Sequence, residues 1–378
     1  MKINKEQKKA PKVLVGFSGG VDSSVAALLL KKKGYDVIGA YIKHFCEGGK
    51  LSKFLCKGAS RVGEEKFARR MAAVLGIKLV VLDFRKEYER EVIKPMIRDY
   101  ARGLTPNPDV VCNKLIKFPI LWKKALELKA AYIATGHYAK VQKTDEGYKL
   151  LAGIDKTKDQ SYFLYELKQN DLEHTLFPLG DYTKKEVRET AEKNNFLNYN
   201  KPGTRGICFI GKMNMLSFLR KKIPNKKGKI YSHDGEFVGY HPGTMYFTIG
   251  QRIGPRLGIE IFPEFKEISG KRWYVAEKRK SNILIIAPEG HPALKRKEIV
   301  IDKMHLINPK EKIPKSGLKA RIRHLGALMP GRLIKKKGKD IFILDEPAEA
   351  IAEGQAIVLY KGRELIGGGE IRLKHQKS

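Results

Sequence analysis

The sequence is poor in cysteine, tryptophan and acidic residues. Its 378 residues include four cysteines and two tryptophans, and 41 Asp and Glu stand against 75 Lys and Arg. So few cysteines exclude a disulfide-stapled scaffold, and their spacing contains no CxxC pair of the kind that holds structural zinc. The cysteines are Cys46, Cys56, Cys112 and Cys208. We therefore predict that the protein is located in the reducing cytoplasm and that none of its side chains bind a metal ion.

Long apolar runs and low-complexity tracts are also missing. The basic stretch MKINKEQKKAPK is followed only by the apolar run Val13–Phe17, which is too short for a signal peptide or a membrane span. A hydrophobic share of 42% supplies enough apolar surface for packed cores, so a disordered chain is excluded. The length exceeds what one core accommodates, and we predict two or three domains and no membrane partner.

The shortage of acidic residues leaves a formal net charge of +34. A surface of that sign attracts polyanions, so nucleic acid is the leading class of partner. An alternative stays open, because an excess of lysine can also reflect overall composition and serve solubility without marking any site.

The N-terminal half alternates short apolar runs with helical patterns, which predicts an α/β fold with a doubly wound parallel sheet. We predict strands at 12–17, 36–42, 77–84 and 131–135, and helices at 22–33, 64–75, 87–102 and 114–129. The segment TPNPDVVCN is rich in Pro and Asn and is predicted to be a loop. Residues 137–155 are predicted to form a hairpin.

The sequence pattern changes after Cys208. A helical stretch, MNMLSFLRKK, leads into short strands with frequent Gly and Pro turns, which predicts a small central α+β domain. Beyond residues 278–281, strand-like runs from NILIIAP onward recur without helices, which predicts a C-terminal β-barrel. The predicted domains are residues 1–211, 212–280 and 281–378.

A glycine-rich loop lies between the first predicted strand and helix. Its residues are Gly16, Phe17, Ser18, Gly19, Gly20, Val21, Asp22 and Ser23. Glycines let backbone N–H groups approach phosphate oxygens, and a helix N-terminus adds the positive end of its dipole, so we predict phosphate binding. The loop lacks the Lys-Ser/Thr pair of a Walker A motif and does not match GxGxxG. A glycine turn packed against the sheet is the structural alternative.

The loop sequence SGGVDSS, at Ser18–Ser24, resembles the PP-loop of the ATP pyrophosphatases. This resemblance implies that the loop holds the pyrophosphate of ATP while a substrate oxygen attacks the α-phosphate, so that AMP and pyrophosphate form. Amidating ligases and several RNA thiolases and ligases share the loop, so other residues must choose among them.

Two cysteines, Cys112 and Cys208, lie in sequence contexts that favour a reactive role. Asp109 and Cys112 fall in the Pro- and Asn-rich segment, and rigid loops often present reactive groups. Cys208 lies in GICFIG, where an isolated thiol is most often an inert core residue, but Cys112 as a second thiol favours a reactive pair. We interpret Cys46 and Cys56, in a Gly- and Lys-rich insertion, as loop thiols without a catalytic duty.

Six motifs together resemble the tRNA-specific 2-thiouridylases. They are SGGVDS, TPNPDVVCNKLIKF, ATGHY, KDQSYFLY, TRGICFIG and GQAIVLY, and the resemblance runs from about Val13 to the C-terminus. It implies an enzyme, a tRNA uridine 2-sulfurtransferase. With ATP and Mg²⁺ it would adenylate the 2-carbonyl oxygen of the wobble uridine, an otherwise poor leaving group, and then replace it with sulfur. The implied partners are tRNA of the Lys, Glu and Gln types and a persulfide sulfur-donor protein.

The resemblance also implies residue roles. Cys208 would carry the persulfide, Cys112 would resolve it through a Cys112–Cys208 disulfide, and Asp109 would act as acid or base at the target base. The glycine loop, Ile42 and Gly136 would bind ATP. The tRNA-binding residues would be Asn107, Pro108, Asp109, His137, Lys158, Asp159, Gln160, Arg323, His324 and Gln355. Ile42 replaces the methionine usual in the family, and Arg323-His324 replaces an Arg-Tyr pair.

Two other interpretations stay open. Another PP-loop enzyme, either an adenylating RNA-modifying enzyme or an amidating ligase, would use the same loop, although amide formation needs no second thiol. A non-catalytic RNA-binding protein would explain the positive charge and the barrel, but not the loop and the two cysteines.

Overall fold

A computed structural model describes residues 10–43, 64–201, 214–254, 257–267 and 272–373. The chain divides into two compact units. The first contains residues 1–89 and 111–212, and the second contains residues 90–110 and 213–378. The chain therefore leaves the first unit and returns to it before it completes the second.

The first unit is built on a five-stranded parallel sheet in the order β3-β2-β1-β4-β7. Its strands are β1 (Lys12–Gly16), β2 (Asp36–Ile42), β3 (Lys78–Leu82), β4 (Tyr132–Ala134) and β7 (Thr175–Leu176). A hairpin of β5 (Ala139–Thr144) and β6 (Gly147–Ala152) follows β4. The predicted parallel sheet and hairpin are confirmed.

Helices connect the strands of this sheet. In chain order they are α1 (Val21–Lys32), α2 (Glu64–Leu75), α3 (Arg85–Tyr88), α4 (Lys94–Ala101), α5 (Pro108–Cys112), α6 (Phe118–Glu127), α7 (Gln169–Glu173) and α8 (Lys184–Lys193). Of these, α4 belongs to the second unit, and α5 spans the boundary between the units. Glu89–Ile93 and Asn113–Lys117 form π-helical turns, and Ser161–Leu164 forms a 3₁₀ turn.

One face of the sheet packs against α1, α2 and α8. Val13 and Val15 point to the same face of β1 because side chains alternate along a strand, and they share a buried core with Val25, Met71 and Val187 from the three helices. This core fixes where β1 ends and α1 begins, and so it fixes the loop between them.

The prediction of a loop at TPNPDVVCN is wrong in its second half, where Pro108–Cys112 forms α5. The Asn107 side-chain oxygen accepts a hydrogen bond from Val110 N–H at 3.4 Å, as an N-cap does. Pro108 stands at the first helical position, where its missing N–H and fixed φ cost nothing. Proline and asparagine here begin a helix instead of preventing one.

The second unit contains a five-stranded sheet in the order β10-β9-β8-β12-β11. Its strands are β8 (Gly228–Ser232), β9 (Phe237–His241), β10 (Glu260–Ile261), β11 (Trp273–Arg279) and β12 (Ile283–Pro288). Its helical segments are α9 (Met215–Lys222), α10 (Pro263–Glu267) and the 3₁₀ turns Thr244–Tyr246, Lys280–Asn282 and Pro292–Leu294.

The strand NILIIAP was predicted to join the C-terminal barrel, but β12 pairs with β8 and β11 in this sheet. The cause is the turn before it. Ser281 and Asn282 adopt φ of 60° and 59°, and two such residues reverse the chain tightly enough to return β12 antiparallel to β11. The domain limits predicted above stay predictions.

A closed β-barrel of six antiparallel strands completes the second unit, in the order β13-β16-β15-β14-β17-β18 with β13 paired to β18. The strands are β13 (Lys295–Leu306), β14 (Leu318–Arg321), β15 (Met329–Lys336), β16 (Lys339–Glu349), β17 (Ala356–Lys361) and β18 (Glu364–Arg372). Alternating apolar side chains fill its interior. The predicted fold class is confirmed, and among the described residues no helix is long and apolar enough to cross a membrane.

Candidate active site

The site in the first unit lies where β1 and β4 end. These neighbouring strands are parallel, with Val13 beside Tyr132 and Val15 beside Ala134. The chain leaves β1 toward β2 on one side and reaches β4 on the other, so the strand order reverses at this point. Ligands of open α/β sheets bind in the crevice outside the carboxyl ends of strands at such a reversal.

The glycine loop after β1 has little freedom to move. Gly19 adopts φ of +73°, and a Cβ added to it would lie 2.8 Å from the Cα of Ala68 in α2. Ser18 Oγ accepts a hydrogen bond from Gly20 N–H at 3.3 Å, and Ser23 Oγ donates one to the Gly20 carbonyl at 3.1 Å. The loop is therefore held in one conformation by its own serines and by close packing on α2.

The N-terminus of α1 meets the chemical demands of an anion site. Its N-cap is Gly20, which offers no side chain to the N–H groups of the first turn. These N–H groups and the positive end of the helix dipole favour a phosphate. Ser18 is exposed beside them, so the loop is open to a ligand on this side. These observations fit the predicted phosphate-binding loop and disfavour a purely structural glycine turn.

Asp22, in the first turn of α1, is held by two side chains from other elements. The Tyr138 hydroxyl donates to Asp22 Oδ1 at 2.8 Å, and the Lys184 ammonium group lies 2.5 Å from the same oxygen. Burial of Tyr138, and then the nearby charge of Asp22, raise the pKa of the phenol, so it stays a hydrogen-bond donor. The Lys184 side chain is only 14% exposed, so a cation lies close to the glycine loop.

Sequence reasoning did not identify Lys184 or Asn198 as site residues. The fully buried Asn198 donates from Nδ2 to the Gly19 carbonyl at 2.8 Å and to Ser24 Oγ at 3.1 Å. Lys184 carries a usable signal, because a cation in the first turn of a helix opposes the dipole and often has a partner elsewhere. Nothing in the sequence around Asn198 points to the loop.

Gly136 and His137 follow β4 and face α1 and α6. A Cβ on Gly136 would lie 2.9 Å from Ser23 N, so the chain passes directly over the first turn of α1. His137 is buried, with Nδ1 2.7 Å from Thr135 Oγ1 and Nε2 3.4 Å from Lys117 Nζ. Burial, and then the charge of Lys117, lower the pKa of His137 well below its usual value. The imidazole is therefore neutral at neutral pH.

The segment Lys158–Gln160 joins the same site through Tyr138. Gln160 Oε1 accepts a hydrogen bond from Tyr138 N–H at 3.2 Å, and Gln160 N–H donates to the Tyr138 carbonyl at 3.0 Å. Asp159 is buried and accepts hydrogen bonds from Gly153 N–H and Ser161 N–H, whereas Lys158 is exposed. Lys158 is thus the most exposed of the three, Gln160 is half-buried, and Asp159 is buried.

The other predicted residues of the first unit are Gly16 at the end of β1, Val21 at the start of α1, Phe17, Ile42, Cys112 and Cys208. Phe17 and Ile42 are buried where β1 and β2 end, and Cys112 is fully buried at the end of α5. Cys208, Cys46 and Cys56 lie outside the described residues, so the predicted Cys112–Cys208 disulfide stays a prediction.

The second unit holds the other predicted contacts. Asn107, Pro108 and Asp109 are partly exposed at the start of α5. Gln355 Nε2 donates to the carbonyls of Thr105 and Pro106 at 2.9 and 3.3 Å. Arg323 is exposed, His324 is half-buried, and Arg323 lines a cavity of about 310 Å³. Within the part of the chain that the structure describes, no three His, Cys, Asp or Glu side chains form a metal-binding group.

Three family models match consecutive parts of the chain. The tRNA methyl transferase HUP domain matches residues 11–212, the tRNA methyl transferase PRC-barrel domain matches residues 216–288, and the aminomethyltransferase beta-barrel domain matches residues 296–371. The first match alone covers more than half of the chain and includes the glycine loop, His137 and both predicted catalytic cysteines.

Curated relatives match along nearly the whole length. A tRNA-specific 2-thiouridylase MnmA of Alkaliphilus oremlandii is 40% identical over 371 residues, which cover 96% of this chain and 98% of that protein. One of Hydrogenovibrio crunogenus is 38% identical over 375 residues, which cover 98% and 96%. A solved 4-thiouridine synthetase–RNA complex with bound ATP is 16% identical, covers 56% of this chain and 50% of that chain, and has a TM-score of 0.34, a likeness that supports no conclusion.

Proposed function

Since the chain belongs to the tRNA-specific 2-thiouridylase family, we propose that it is a tRNA uridine 2-sulfurtransferase. It would adenylate the 2-carbonyl oxygen of the wobble uridine and then replace that oxygen with sulfur, giving 2-thiouridine, AMP and pyrophosphate. The observation that carries the proposal is the identity of 38–40% over nearly the full length of relatives that bear this name. The glycine loop at the start of α1 supplies the matching nucleotide site.

The residues of that loop fit ATP. The N–H groups at the start of α1 would hold the pyrophosphate part, and the tight loop conformation presents them without a further change of shape. Phe17, Ile42 and Gly136 would lie near the rest of the nucleotide. When bound, Mg²⁺ would neutralise phosphate charge, and Asp22 is the one carboxylate of the loop, which suits a cation held mainly by phosphates and water.

Adenylation solves the chemical difficulty of this substrate. The 2-carbonyl oxygen of uridine is amide-like and is a poor leaving group, whereas an oxygen bonded to AMP leaves readily. The uridine oxygen attacks the α-phosphate, and pyrophosphate departs. Lys184 and the dipole of α1 would stabilise the negative charge on the phosphates during this step. Asp109 would serve as acid or base at the target base, with Asn107 and Pro108 beside it.

Sulfur transfer then uses the two cysteines. The terminal sulfur of a Cys208 persulfide attacks C2, the C2–O bond breaks, and AMP departs with the oxygen. The Cys112 thiolate next attacks the inner sulfur of Cys208, the S–S bond to the base breaks, and its electron pair stays on the sulfur of the base. The Cys112–Cys208 disulfide that remains needs two electrons from an external thiol before the next cycle. Release of the sulfur as sulfide before the attack is an alternative order of the same steps.

The partners of the protein and its domain boundaries are part of the same proposal. A persulfide-carrying protein of the cytoplasm would supply the sulfur, and tRNAs of the Lys, Glu and Gln types would be the substrates. His137, Lys158, Asp159, Gln160, Arg323 and His324 would contact tRNA. The predicted domains are the catalytic domain 1–211, the central domain 212–280 and the C-terminal barrel 281–378, with β12 counted in the central domain because it pairs with β8 and β11.

The proposal is tested by incubation of the protein with unmodified tRNA, ATP, Mg²⁺ and sulfide, followed by digestion and mass spectrometry of the nucleosides. We expect a 2-thiouridine that depends on ATP, and one AMP for each thiouridine. The same measurement separates thiolation from methylation, because a methyl group and an oxygen-to-sulfur exchange add different masses. ATP cleavage without any sulfur gain would refute the proposal.

The cysteine roles are tested in a single turnover. The enzyme is loaded with persulfide, freed of excess donor, and given ATP and tRNA. The Cys208→Ser variant should form no thiouridine, and Cys112→Ser should leave tRNA linked to the protein through a disulfide that dithiothreitol cleaves. Cys46→Ser and Cys56→Ser are the matched controls and should behave as wild type. Full turnover by Cys208→Ser would remove its assigned role.

A further inference from the structure

The segment Gly103–Pro106 of the second unit is fixed by side chains that are distant in sequence. It connects α4 to α5, the helix that Asn107 caps and that carries Asp109. Gln355, at the turn between β16 and β17, donates from Nε2 to the carbonyl oxygens of Thr105 and Pro106 at 2.9 and 3.3 Å. One amide group thus fixes two consecutive peptide units just ahead of the helix.

The same segment has a second anchor in the central sheet. Lys278, at the end of β11, donates from Nζ to the Gly103 carbonyl at 2.9 Å. Burial lowers the pKa of this ammonium group to about 7, and the neighbouring carboxylate of Glu353 opposes that effect. Lys278 is half-buried, and its contact with the Gly103 carbonyl replaces part of the hydration of its amino group.

The backbone adds a third anchor at the same place. Thr105 N–H donates to the Glu353 carbonyl at 2.8 Å, and a Cβ on Gly354 would lie 3.0 Å from Thr105 N. The Thr105 hydroxyl also lies 3.4 Å from Thr248 Oγ1. The turn Glu353–Gln355 of the barrel therefore packs closely along this one short segment.

We infer that Gln355 and Lys278 are positioning residues, which hold Gly103–Pro106 so that Asn107, Pro108 and Asp109 are presented to the substrate base in one orientation. The inference rests on the proposed function. It gives Gln355 a task inside the protein, where the family resemblance implied a contact with tRNA. It also makes the barrel part of the catalytic arrangement, because its β16–β17 turn fixes the backbone from which Asp109 projects.

The chain between the anchors and Asp109 is short and stiff. Pro106 and Pro108 lock φ at two of the positions, and the Asn107 cap on Val110 N–H fixes the start of the helix. A displacement at Thr105 is therefore passed on to Asp109 and is not absorbed by flexible residues. Misplacement of a catalytic group by about 1 Å costs up to about a hundredfold in rate.

Kinetic and binding measurements distinguish a positioning role from a direct contact with tRNA. A residue that only binds tRNA raises the KM and Kd for tRNA and leaves kcat unchanged. A residue that only positions Asp109 lowers kcat and leaves the Kd for tRNA unchanged. Gln355→Met and Lys278→Met remove the donors at nearly constant length, and Lys280→Met, on an exposed neighbour of Lys278, is the control for loss of positive charge.

The experiment measures kcat for thiolation, the Kd for tRNA, and hydrogen exchange of the Thr105 amide in the full chain. For Gln355→Met and Lys278→Met we expect kcat to fall by about tenfold to a hundredfold, faster exchange at Thr105 and an unchanged Kd. The control should match wild type. A raised Kd with unchanged kcat and unchanged Thr105 exchange would overturn the inference. If the wild-type chain forms no thiouridine, the proposed function fails, whereas the exchange of Thr105 still tests the anchors alone.

Discussion

The Tyr138 hydroxyl donates a hydrogen bond to Asp22 Oδ1 at 2.8 Å and joins two loops that are more than a hundred residues apart in the chain. Asp22 lies in the first turn of α1, next to the glycine loop proposed to bind phosphate, and Tyr138 follows the residues predicted to contact ATP and tRNA. Their hydrogen bond links the segment after β4 to the first turn of α1, so a displacement of one segment also displaces the other. Lys184 completes this arrangement from α8.

Replacement of Lys184 by methionine should weaken ATP binding. It leaves Asp22 without its cation at a place where triphosphate must approach, so carboxylate and phosphates repel each other. We expect the KM for ATP to rise by about tenfold, or about 1.4 kcal/mol, with the Kd for tRNA unchanged. Lys185→Met is the matched control, since the Lys185 side chain is 87% exposed. Equal effects of the two variants on the KM would count against the assignment.

Replacement of Gly19 by alanine should distort the glycine loop. The new Cβ would meet the α2 backbone at 2.8 Å, in addition to the cost of a positive φ. Gly34→Ala is the control, because Gly34 also has a positive φ of +85° but nothing within 4 Å. We expect the control to lose about 1 kcal/mol of stability, and Gly19→Ala to lose more and to bind ATP more weakly. Thermal unfolding with and without ATP measures both effects, and equal losses in the two variants would contradict the packing argument.

Acid should destabilise the protein through His137. Its pKa is lowered in the folded state by burial and by Lys117, so the unfolded chain takes up a proton near pH 6.5 while the folded protein does not. Stability is therefore complete above pH 6.5 and falls as the pH drops below it, by about 1.4 kcal/mol per pH unit for one proton. His241, whose pKa is lowered to about 4, adds to the same trend.

Denaturant unfolding of wild type and His137→Gln between pH 7 and pH 5 measures the predicted loss of stability in acid. The variant should show a flatter dependence, with the part due to His241 remaining. A His137 ring that nuclear magnetic resonance shows to be protonated at pH 6 would contradict the lowered pKa.

Binding of tRNA should depend steeply on salt. The net charge of +34 supplies Lys and Arg to phosphates, and each neutralised phosphate adds about 0.7 to 0.9 to the slope of log Kd against log salt. Lys158→Ala should reduce the slope by about one unit. Lys156→Ala, on another exposed lysine of the same turn, is the control. A Kd for tRNA that does not change with salt would indicate that the positive charge reflects amino-acid composition and not tRNA binding.

The sequence predicted the parts of the fold that depend on local patterns. The helix Glu64–Leu75 and the strand Asp36–Ile42 have the predicted bounds, because their apolar spacing and their ends agree with one structure. The helix at Pro108 was missed because proline and asparagine suit a loop and a helix start equally well. The partners of β12 could not be predicted, since parallel pairing with β8 depends on contacts across fifty residues of chain.

Some residues of the candidate site could be predicted from the sequence, and others could not. The glycine loop and the residues after β4 carry recognisable sequence patterns, and the structure brings them together through the parallel pairing of β1 and β4. Lys184 and Asn198 reach the loop from the far end of the unit, and their placement results from packing of α8 and the turn after it. Residues that support a loop from a distance leave no local pattern.

The central claim is that the uridine oxygen is activated by AMP before sulfur replaces it. Transfer RNA with oxygen-18 at the 2-carbonyl of the wobble uridine, incubated with the protein, ATP, Mg²⁺ and sulfide, tests this directly by mass spectrometry of the AMP. The account predicts that oxygen-18 appears in the phosphate group of AMP, in an amount equal to the 2-thiouridine formed. Thiolated tRNA accompanied by unlabelled AMP, or AMP formed while the label stays in the base, would contradict it.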